Sequence, residues 1–212
     1  MKIETDFLVL GSGIAGLSFA LKACKYGSVA VVTKKEKIES STNYAQGGIA
    51  TVLGADDSFD LHIADTLTVG CGLSDPEVVE SVVRDGPVRI GELAQWGVNF
   101  SRNSSRANTA YDLGREGGHS RRRIVHAQDL TGREVERVLV KCVESKKNIA
   151  IYENFIAVNL ITRSSARGDG GRGDICYGAY VLERNTREVH TFCAKVTLLA
   201  TGGVGKVYLY TS

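Results

Sequence analysis

The stretch Phe7-Leu-Val-Leu-Gly-Ser-Gly-Ile-Ala-Gly-Leu17 decides the fold of this chain. Its apolar start predicts a buried strand, and the residues after it have the composition of a helix. Between the two, Gly11, Gly13 and Gly16 follow the spacing G-x-G-x-x-G. In this pattern the first glycine permits a tight turn, the second lets a pyrophosphate approach the backbone, and the third lets the helix pack closely on the sheet. With a second strand at Val29–Thr33, the pattern predicts a dinucleotide-binding βαβ unit. A glycine-rich structural turn is the alternative.

The composition is that of a globular domain. The chain has 212 residues, of which 43% are hydrophobic and 24% charged, and its net charge is +2. This charge is too small to indicate a nucleic-acid partner. No apolar run approaches the roughly 20 residues that a membrane span needs, and the acidic Glu4 and Asp6 exclude a signal-peptide pattern.

The five cysteines are scattered and show no C-x-x-C spacing. This distribution argues against a disulfide framework and against a zinc site, and it favours a reducing compartment. His62, His126 and His190 likewise lack paired ligand spacing, so we expect no metal site. Because a reducing compartment is favoured, we also expect a cytoplasmic location.

The end of the second strand departs from the pattern of NAD-binding proteins. An acidic residue there usually binds the ribose hydroxyls. This chain has Thr33-Lys34-Lys35 instead, with Glu36 slightly late. Lys34 therefore faces a phosphate or the adenosine portion of a cofactor, or is a solvated loop lysine.

Further glycine turns suggest how a large cofactor is enclosed. The segment Ser41-Thr-Asn-Tyr-Ala-Gln-Gly-Gly48 has small hydrogen-bonding side chains and little to bury, although a plain loop would look the same. A late β-rich run ends in Ala200-Thr-Gly-Gly203, which would bring a second glycine turn to the same edge of a parallel sheet.

Ile175–Leu182 and Glu188–Phe192 alternate as a β-hairpin. We therefore expect an α/β fold: a Rossmann-like domain with a parallel central sheet and an added β-hairpin or β-meander.

Helix signals fill the middle of the chain. Asp75-Pro76-Glu77 is a strong helix start, and we expect Gly86-Pro87 to break that helix. A later helix from Thr131 to Lys146 has Val135, Leu139 and Val143 on one face.

The densest cluster of functional groups is Arg115-Glu-Gly-Gly-His-Ser-Arg-Arg-Arg123. Its last three arginines form either a solvated surface or an anion-facing one. Glu116 either meets a cationic ligand or pairs with the neighbouring arginines, and His119 has either a ligand contact or a structural hydrogen bond.

In these motifs the sequence resembles the succinate dehydrogenase/fumarate reductase flavoprotein family, and within it the L-aspartate oxidase subfamily. The resemblance rests on motifs that occur in family order along the whole chain: Gly11–Gly16, Ser41–Gly48, Arg115–His119, Asp129-Leu-Thr-Gly-Arg133 and Ala200-Thr-Gly-Gly-Val204. It implies that residues 1–212 are an incomplete FAD-binding domain, which the family's substrate-capping and C-terminal helical domains would follow. It also implies that the chain alone is inactive.

The resemblance implies FAD as the cofactor. Ser12 to Gly16 would hold the pyrophosphate, Lys34 would lie near the adenosine portion, and the Thr201-Gly202 turn would close over the cofactor. The residues that would line the flavin ring are Ser41, Thr42, Asn43, Tyr44, Ala45, Gln46, Gly47 and Gly48, and those assigned to the glycine turn are Gly11, Ser12, Gly13, Ile14, Ala15 and Gly16. Some relatives bind FAD covalently through a histidine at the position of Ser41, so we expect non-covalent FAD here.

The resemblance also implies a reaction. L-Aspartate would be oxidised to iminoaspartate by hydride transfer to the flavin, with O2 or fumarate as the final oxidant. The imine would pass to quinolinate synthase. A carboxylate matches the substrate ammonium in charge, so Glu116 is the expected amine partner, and His119 is expected to contact substrate or flavin. The alternatives are a soluble fumarate reductase or succinate dehydrogenase subunit and a non-catalytic FAD-binding fragment.

Overall fold

The computed structural model describes residues 1–102, 111–127, 130–166, 172–204 and 207–210. Two compact units make up the chain. One comprises residues 1–43 and 139–212, and the other comprises residues 44–138. In chain order the helices and strands are β1 (Lys2–Leu10), α1 (Ile14–Ala23), β2 (Val29–Thr33), α2 (Ser41–Tyr44), β3 (Ile49–Ala50), α3 (Phe59–Val69), α4 (Pro76–Trp96), β4 (Leu113–Gly114), β5 (Ile124–Val125), α5 (Thr131–Glu144), β6 (Ile149–Glu153), β7 (Phe155–Ala166), β8 (Arg172–Glu183) and β9 (Val189–Leu199).

The first unit is built on a six-stranded sheet with the order β6-β2-β1-β9-β8-β7. Strands β6, β2, β1 and β9 are parallel, whereas β7, β8 and β9 form an antiparallel meander. The register pairs Leu10 with Val32 on one side and with Leu199 on the other. The carboxyl ends of these three strands therefore lie side by side, and the expected α/β fold is confirmed.

The core of this unit follows from the alternation of side chains along the strands. Leu8, Leu10 and Phe192 belong to one buried cluster, against which Tyr152 and Phe155 pack. Tyr152 meets the Phe192 ring edge to face, with ring centroids 4.9 Å apart. The central strands β1 and β2 thus hold the turn that follows β1 on a rigid base.

The second unit contains α3, α4 and a small antiparallel sheet with the order β3-β5-β4. Helix α4 begins with Asp75, whose side chain accepts hydrogen bonds from the N–H groups of Glu77 and Val78. It ends at Gly97, which has a left-handed φ of 109°.

The predicted break at Gly86-Pro87 is wrong, because α4 is continuous through it. A proline inside a helix costs about 3 kcal/mol. Val83, Ile90 and Leu93 are buried along the same helix, and burial of each contributes roughly 1.5–3 kcal/mol, which outweighs that cost. Thr51 packs closely on Gly86, since a Cβ there would lie 2.8 Å from Thr51 Oγ1.

Helix α5 buries Val135, Leu139 and Val143 almost completely, as predicted. Within the described ranges, no helix has the length and apolar character that a membrane crossing demands.

Candidate cofactor and substrate site

The glycine turn after β1 owes its shape to two very close backbone approaches. Gly11 has a φ of +118°, and a Cβ on it would collide with the carbonyl oxygen of Ala200. A Cβ on Gly16 would collide with the carbonyl oxygen of Gly11. Gly11 thus allows the turn to pass beside the end of β9, and Gly16 lets α1 pack against the turn.

Gly13 is different, because it has ordinary backbone geometry and more space. It precedes α1 with a φ of −73°, and the nearest atom to a Cβ there would be Thr42 Oγ1 at 3.3 Å. Ile14 and Ala15 are exposed, and the Ile14 N–H donates to Thr42 Oγ1 at 3.0 Å. The start of α1 is thus exposed at Ile14 and Ala15 and has no acidic residue in its first turn. This arrangement fits a phosphate group.

Ser12 supports this turn through its buried side chain. Its side chain is buried, and its hydroxyl donates to Thr33 Oγ1 at 3.0 Å. The hydroxyl thereby ties the glycine turn to the end of β2. Because the hydroxyl is buried and already bonded, a phosphate at this turn would contact the backbone of Ser12 and not its side chain.

Lys34 follows β2 and is exposed. Its carbonyl oxygen accepts a hydrogen bond from Arg184 Nη1 at 3.2 Å. The adjacent Lys35 pairs with Glu39, and Lys37 pairs with Glu144 and Glu153. Within the described part of the chain, the Lys34 ammonium has no such carboxylate partner, so it remains able to meet an anion.

The Thr201-Gly202 turn lies at the end of β9. The Ala200 N–H donates to the Leu10 carbonyl at 2.9 Å, which fixes the start of this turn beside Gly11. Both Thr201 and Gly202 are exposed, and Gly202 has a left-handed φ of 71°.

In the second unit, Ala45–Gly48 forms a turn that Thr131 and Gly132 hold in place. The Thr131 hydroxyl donates to the Gly47 carbonyl at 2.5 Å and accepts from the Ala127 N–H at 3.0 Å. The Gly132 N–H donates to the Ala45 carbonyl at 3.2 Å. Thr131 and Gly132 belong to the Asp129–Arg133 motif, of which Asp129 lies outside the described residues. The motif alone did not predict this contact of Thr131.

The residues expected to face the flavin are accessible to different degrees. Ser41–Tyr44 form the single helical turn α2, and Tyr44 is 62% exposed. Thr42, Asn43 and Gly48 are half-buried, whereas the remaining ones are exposed: Ser41, Ala45, Gln46 and Gly47.

Glu116 lies directly against the Ala45–Gly48 turn. A Cβ on Gly47 would stand 2.5 Å from Glu116 Oε1, and Gly47 itself has a φ of +70°. The structure thus brings together two motifs that are far apart in the sequence, with an exposed carboxylate beside the turn.

The guanidinium groups of the neighbouring arginines have partners other than the Glu116 carboxylate. Arg115 donates to the His119 carbonyl, Arg121 to the Asp56 carbonyl and Arg122 to the Leu113 carbonyl. Arg123 pairs with two aspartates. Among the described residues no ion pair involves Glu116, so its alternative role as an arginine partner finds no support.

Arg123 is completely buried, unlike Arg121 and Arg122. Its guanidinium forms a fork onto Asp57, with Nε–Oδ2 at 2.8 Å and Nη2–Oδ1 at 2.7 Å. Its Nη1 contacts Asp65 Oδ2 at 2.6 Å. Arg123 therefore lies on no surface, and its charge is matched by two carboxylates of the chain itself.

Asp65 is also bound by the backbone N–H and the hydroxyl of Ser120, each at 2.8 Å. Burial alone would raise the pKa of Asp65, but the hydrogen bonds from Ser120 and Arg123 outweigh it and lower the pKa to about 2. Asp65 thus stays charged and anchors the Arg115–Arg123 segment to α3.

His119 touches this buried cluster through its ring. Its Nδ1 lies 3.4 Å from Arg123 Nη1, and its ring packs on the buried His62 with centroids 5.6 Å apart. The pKa of His62 is lowered, because burial disfavours the charged ring and both Arg123 and His119 act in the same direction. His119 therefore has a structural contact through Nδ1, and its expected contact with substrate or flavin stays a prediction.

The remaining histidines have structural partners. His126 faces Asp112 at 3.6 Å, and the buried His190 contacts Glu183 at 2.9 Å. Across the residues that the structure describes, no cluster of histidine, cysteine and acidic side chains has the arrangement of a metal site.

Comparison with known proteins agrees with this geometry. Residues 6–212 match the family model described as "FAD binding domain". The chain is 47% identical over 207 residues to L-aspartate oxidase 2-b, chloroplastic, of Nicotiana tabacum, covering 98% of this chain and 31% of that protein. It is 42% identical over 211 residues to the L-aspartate oxidase of Vibrio cholerae, covering 99% of this chain and 39% of that protein. The chain thus spans about a third of the length of these relatives.

Solved structures give the same result. A chain of the E. coli quinol fumarate reductase matches with a TM-score of 0.86 and 26% identity, over 99% of this chain and 34% of that chain. The Mycobacterium smegmatis Sdh1 complex matches with a TM-score of 0.85 and 27% identity, over 98% of this chain and 36% of that chain. These comparisons confirm the resemblance to the succinate dehydrogenase/fumarate reductase flavoproteins and to L-aspartate oxidases. The chain belongs to the FAD-binding domain family, and FAD is its cofactor.

Proposed function

We propose that this chain is the FAD-binding part of an enzyme that oxidises L-aspartate to iminoaspartate. The observation that carries the proposal is the exposed carboxylate of Glu116 beside Gly47. Succinate and fumarate have no ammonium group, whereas L-aspartate has one that a carboxylate can bind. The identity to L-aspartate oxidases supports the same substrate.

FAD fits the chain's own residues at the glycine turn. The exposed start of α1 and the missing side chain at Gly13 suit a pyrophosphate, which would be held by the backbone from Ser12 to Gly16. Lys34 supplies a positive charge for the adenosine portion, and Thr201-Gly202 closes over the cofactor. Ser41 to Gly48 line the flavin ring in this proposal.

When bound, FAD supplies the two-electron redox chemistry of the reaction. The chain contributes binding and orientation, because Glu116 holds the substrate ammonium and His119 contacts the substrate. L-Aspartate loses two electrons and two protons to become iminoaspartate, and the electrons pass finally to O2 or fumarate. We further propose a cytoplasmic setting in which quinolinate synthase consumes the imine, since imines hydrolyse readily in water.

A non-covalent cofactor follows from Ser41, because a serine hydroxyl cannot replace the imidazole that attaches FAD in some relatives. The test is acid precipitation of the FAD-loaded chain. We expect a yellow supernatant and a colourless pellet. Colour that stays in the pellet would contradict the role given to Ser41.

The reaction itself needs the rest of the enzyme. We therefore suggest a chimaera in which these 212 residues replace the matching segment of the Vibrio cholerae L-aspartate oxidase. We expect L-aspartate-dependent peroxide formation, which Glu116→Gln reduces strongly while Glu77→Gln, an exposed helix residue, does not. If Glu116→Gln leaves the preference for L-aspartate over succinate unchanged, Glu116 is not the amine partner.

A soluble fumarate reductase or succinate dehydrogenase subunit is the second candidate, favoured by the match to the E. coli quinol fumarate reductase. It predicts that the chimaera reduces fumarate with an artificial donor but does not respond to L-aspartate. A chain that rejects FAD altogether would point instead to a non-catalytic fragment.

A further inference from the structure

His119 contacts Arg123 through one particular ring nitrogen. The distance from Arg123 Nη1 to His119 Nδ1 is 3.4 Å, and the nitrogen roles in this pair depend on the histidine tautomer. An arginine guanidinium carries donors only and does not lose its proton in proteins. A hydrogen bond between these atoms therefore requires an Nδ1 without a proton.

We propose that Arg123 is a positioning residue that holds His119 as the neutral tautomer with its proton on Nε2. His119 then meets the substrate as a hydrogen-bond donor and not as a base. The second statement rests on the proposed function, because it takes the Arg115–His119 segment to face L-aspartate. The first rests on the contacts of the second unit alone.

Arg123 cannot turn away from His119 without breaking a buried ion cluster. Its side chain is 0% exposed, as is that of Asp57, which binds both Nε and Nη2. Asp65 binds Nη1, the same atom that contacts His119. Removing a partner from such a buried pair is costly, so the guanidinium has one orientation.

The groups around His119 restrict its ring and its backbone. The His62 ring lies against the His119 ring, tilted by 60°, at a centroid distance of 5.6 Å. Arg115 Nε donates to the His119 carbonyl at 2.9 Å, and the His119 N–H donates to the Glu116 carbonyl at 3.3 Å. Among the described residues, the charged side chains that contact the ring or its partner are thus Arg123, Asp57 and Asp65.

The other ring nitrogen remains available. His119 as a residue is half-buried, and Nε2 is not among the buried unpartnered atoms of the described residues, whereas His62 Nδ1 is. Nε2 has no hydrogen-bond partner within the same residues, so it is reachable from solvent. A carboxylate is the complementary acceptor for an imidazole N–H, and L-aspartate carries two of them.

Nitrogen NMR of the FAD-loaded chain, labelled with 15N at histidine and arginine, tests the tautomer. At about pH 7.5 we expect His119 to show a protonated Nε2 and an unprotonated Nδ1. A spectrum of His119→Gln identifies the signals. Arg123→Lys should shift the Nδ1 signal or yield a mixture of tautomers, while the control Arg122→Lys, at an exposed position, should not.

The wild-type chain also provides a test that needs no variant. A correlation from the Arg123 guanidinium N–H to His119 Nδ1 should appear, and it covers the case in which Arg123→Lys does not fold. A proton on Nδ1 in the wild type, or no effect of a folded Arg123→Lys, would overturn the positioning role.

The donor role is tested separately in the chimaera. The side-chain amide of glutamine places an N–H near the position of Nε2, whereas that of asparagine lies near the position of Nδ1. We expect the KM for L-aspartate to rise about tenfold more in His119→Asn than in His119→Gln, and equal values would overturn the donor role. A chimaera that shows the Nε2 tautomer but does not oxidise L-aspartate would refute the proposed function and leave the tautomer assigned.

Discussion

The carboxylate of Glu116 lies against the α-carbon of Gly47, so close that a methyl group on Gly47 would stand 2.5 Å from Oε1. Gly47 belongs to the turn assigned to the flavin ring, and Glu116 is the residue assigned to the substrate ammonium. Because the two residues are in contact, the position of the Glu116 carboxylate depends on the shape of the turn at Gly47. A change in this turn should therefore displace the carboxylate.

Gly47→Ala, compared with a control glycine variant, should distinguish an effect of this contact on binding from a general loss of stability. The φ of +70° costs an alanine about 1–2 kcal/mol, and the added methyl group pushes Glu116 aside. We expect weaker FAD binding by the chain and a raised KM for L-aspartate in the chimaera. Gly72→Ala is the matched control, because Gly72 also has a left-handed φ of +81° and a Cβ there would meet no atom within 4 Å. Equal effects of both substitutions on FAD binding and KM would contradict the coupling of turn and acid.

Thr131 should affect FAD binding although it is buried. Its hydroxyl supports the Gly47 carbonyl at 2.5 Å and satisfies the Ala127 N–H at 3.0 Å. Thr131→Val leaves both groups without this partner, so we expect a loss of about 1–3 kcal/mol in the free energy of unfolding and a higher Kd for FAD. Thr131→Ser keeps the hydroxyl and should restore FAD binding. The measurements are urea unfolding and fluorescence titration with FAD; a serine variant as weak as the valine variant would speak against the hydroxyl.

The three glycines of the first turn should respond differently to alanine. Gly11→Ala and Gly16→Ala collide with backbone carbonyls, which cannot move without moving β9 or the turn. Both should therefore prevent or strongly destabilise folding. Gly13→Ala meets only the Thr42 hydroxyl at 3.3 Å, so the FAD-free chain should unfold within about 1 kcal/mol of the wild type.

The same Gly13 variant should nevertheless bind FAD at least about tenfold more weakly, because the methyl group occupies the space proposed for the pyrophosphate. Unfolding of the FAD-free chain and FAD titration measure the two effects independently. Unchanged FAD affinity in a folded Gly13→Ala chain would remove the pyrophosphate from this position.

Local patterns in the sequence were sufficient for the βαβ unit and the meander. Glycine spacing and apolar runs act over a few residues, and the register of Leu10 with Leu199 follows once β9 is recognised as a parallel strand. The continuity of α4 was not predictable in this way. Tertiary burial of Ile90 and Leu93 overrides the local effect of Pro87, and no short window of sequence contains that information.

The site shows the same division. Glu116 and the turn at Gly47 were found through motifs, but the contact between them is a tertiary fact. Arg123 looked like its neighbours Arg121 and Arg122, since three consecutive arginines carry no signal for which one is buried. Asp57 lies just before α3 and Asp65 lies on it, and nothing in the local sequence marks either as a partner of Arg123.

The free energy of unfolding should depend on pH through Asp65, which belongs to the buried ion cluster. The pKa of this carboxyl is lowered to about 2 in the folded chain from its ordinary value of 3.8. A carboxyl with a lowered folded pKa stabilises the fold above its ordinary pKa, and this contribution is lost as the pH falls from about 4 to about 2. Linkage gives it a size of about 2 kcal/mol at neutral pH. Asp65→Asn should therefore destabilise the chain most near pH 7, and the difference from wild type should shrink below about pH 4. The control is Asp60→Asn on the same helix, where the side chain is 91% exposed. Urea unfolding of the three proteins from about pH 7 to about pH 3 measures the effect, and parallel curves for wild type and Asp65→Asn would show that Asp65 does not stay charged in the folded chain at low pH.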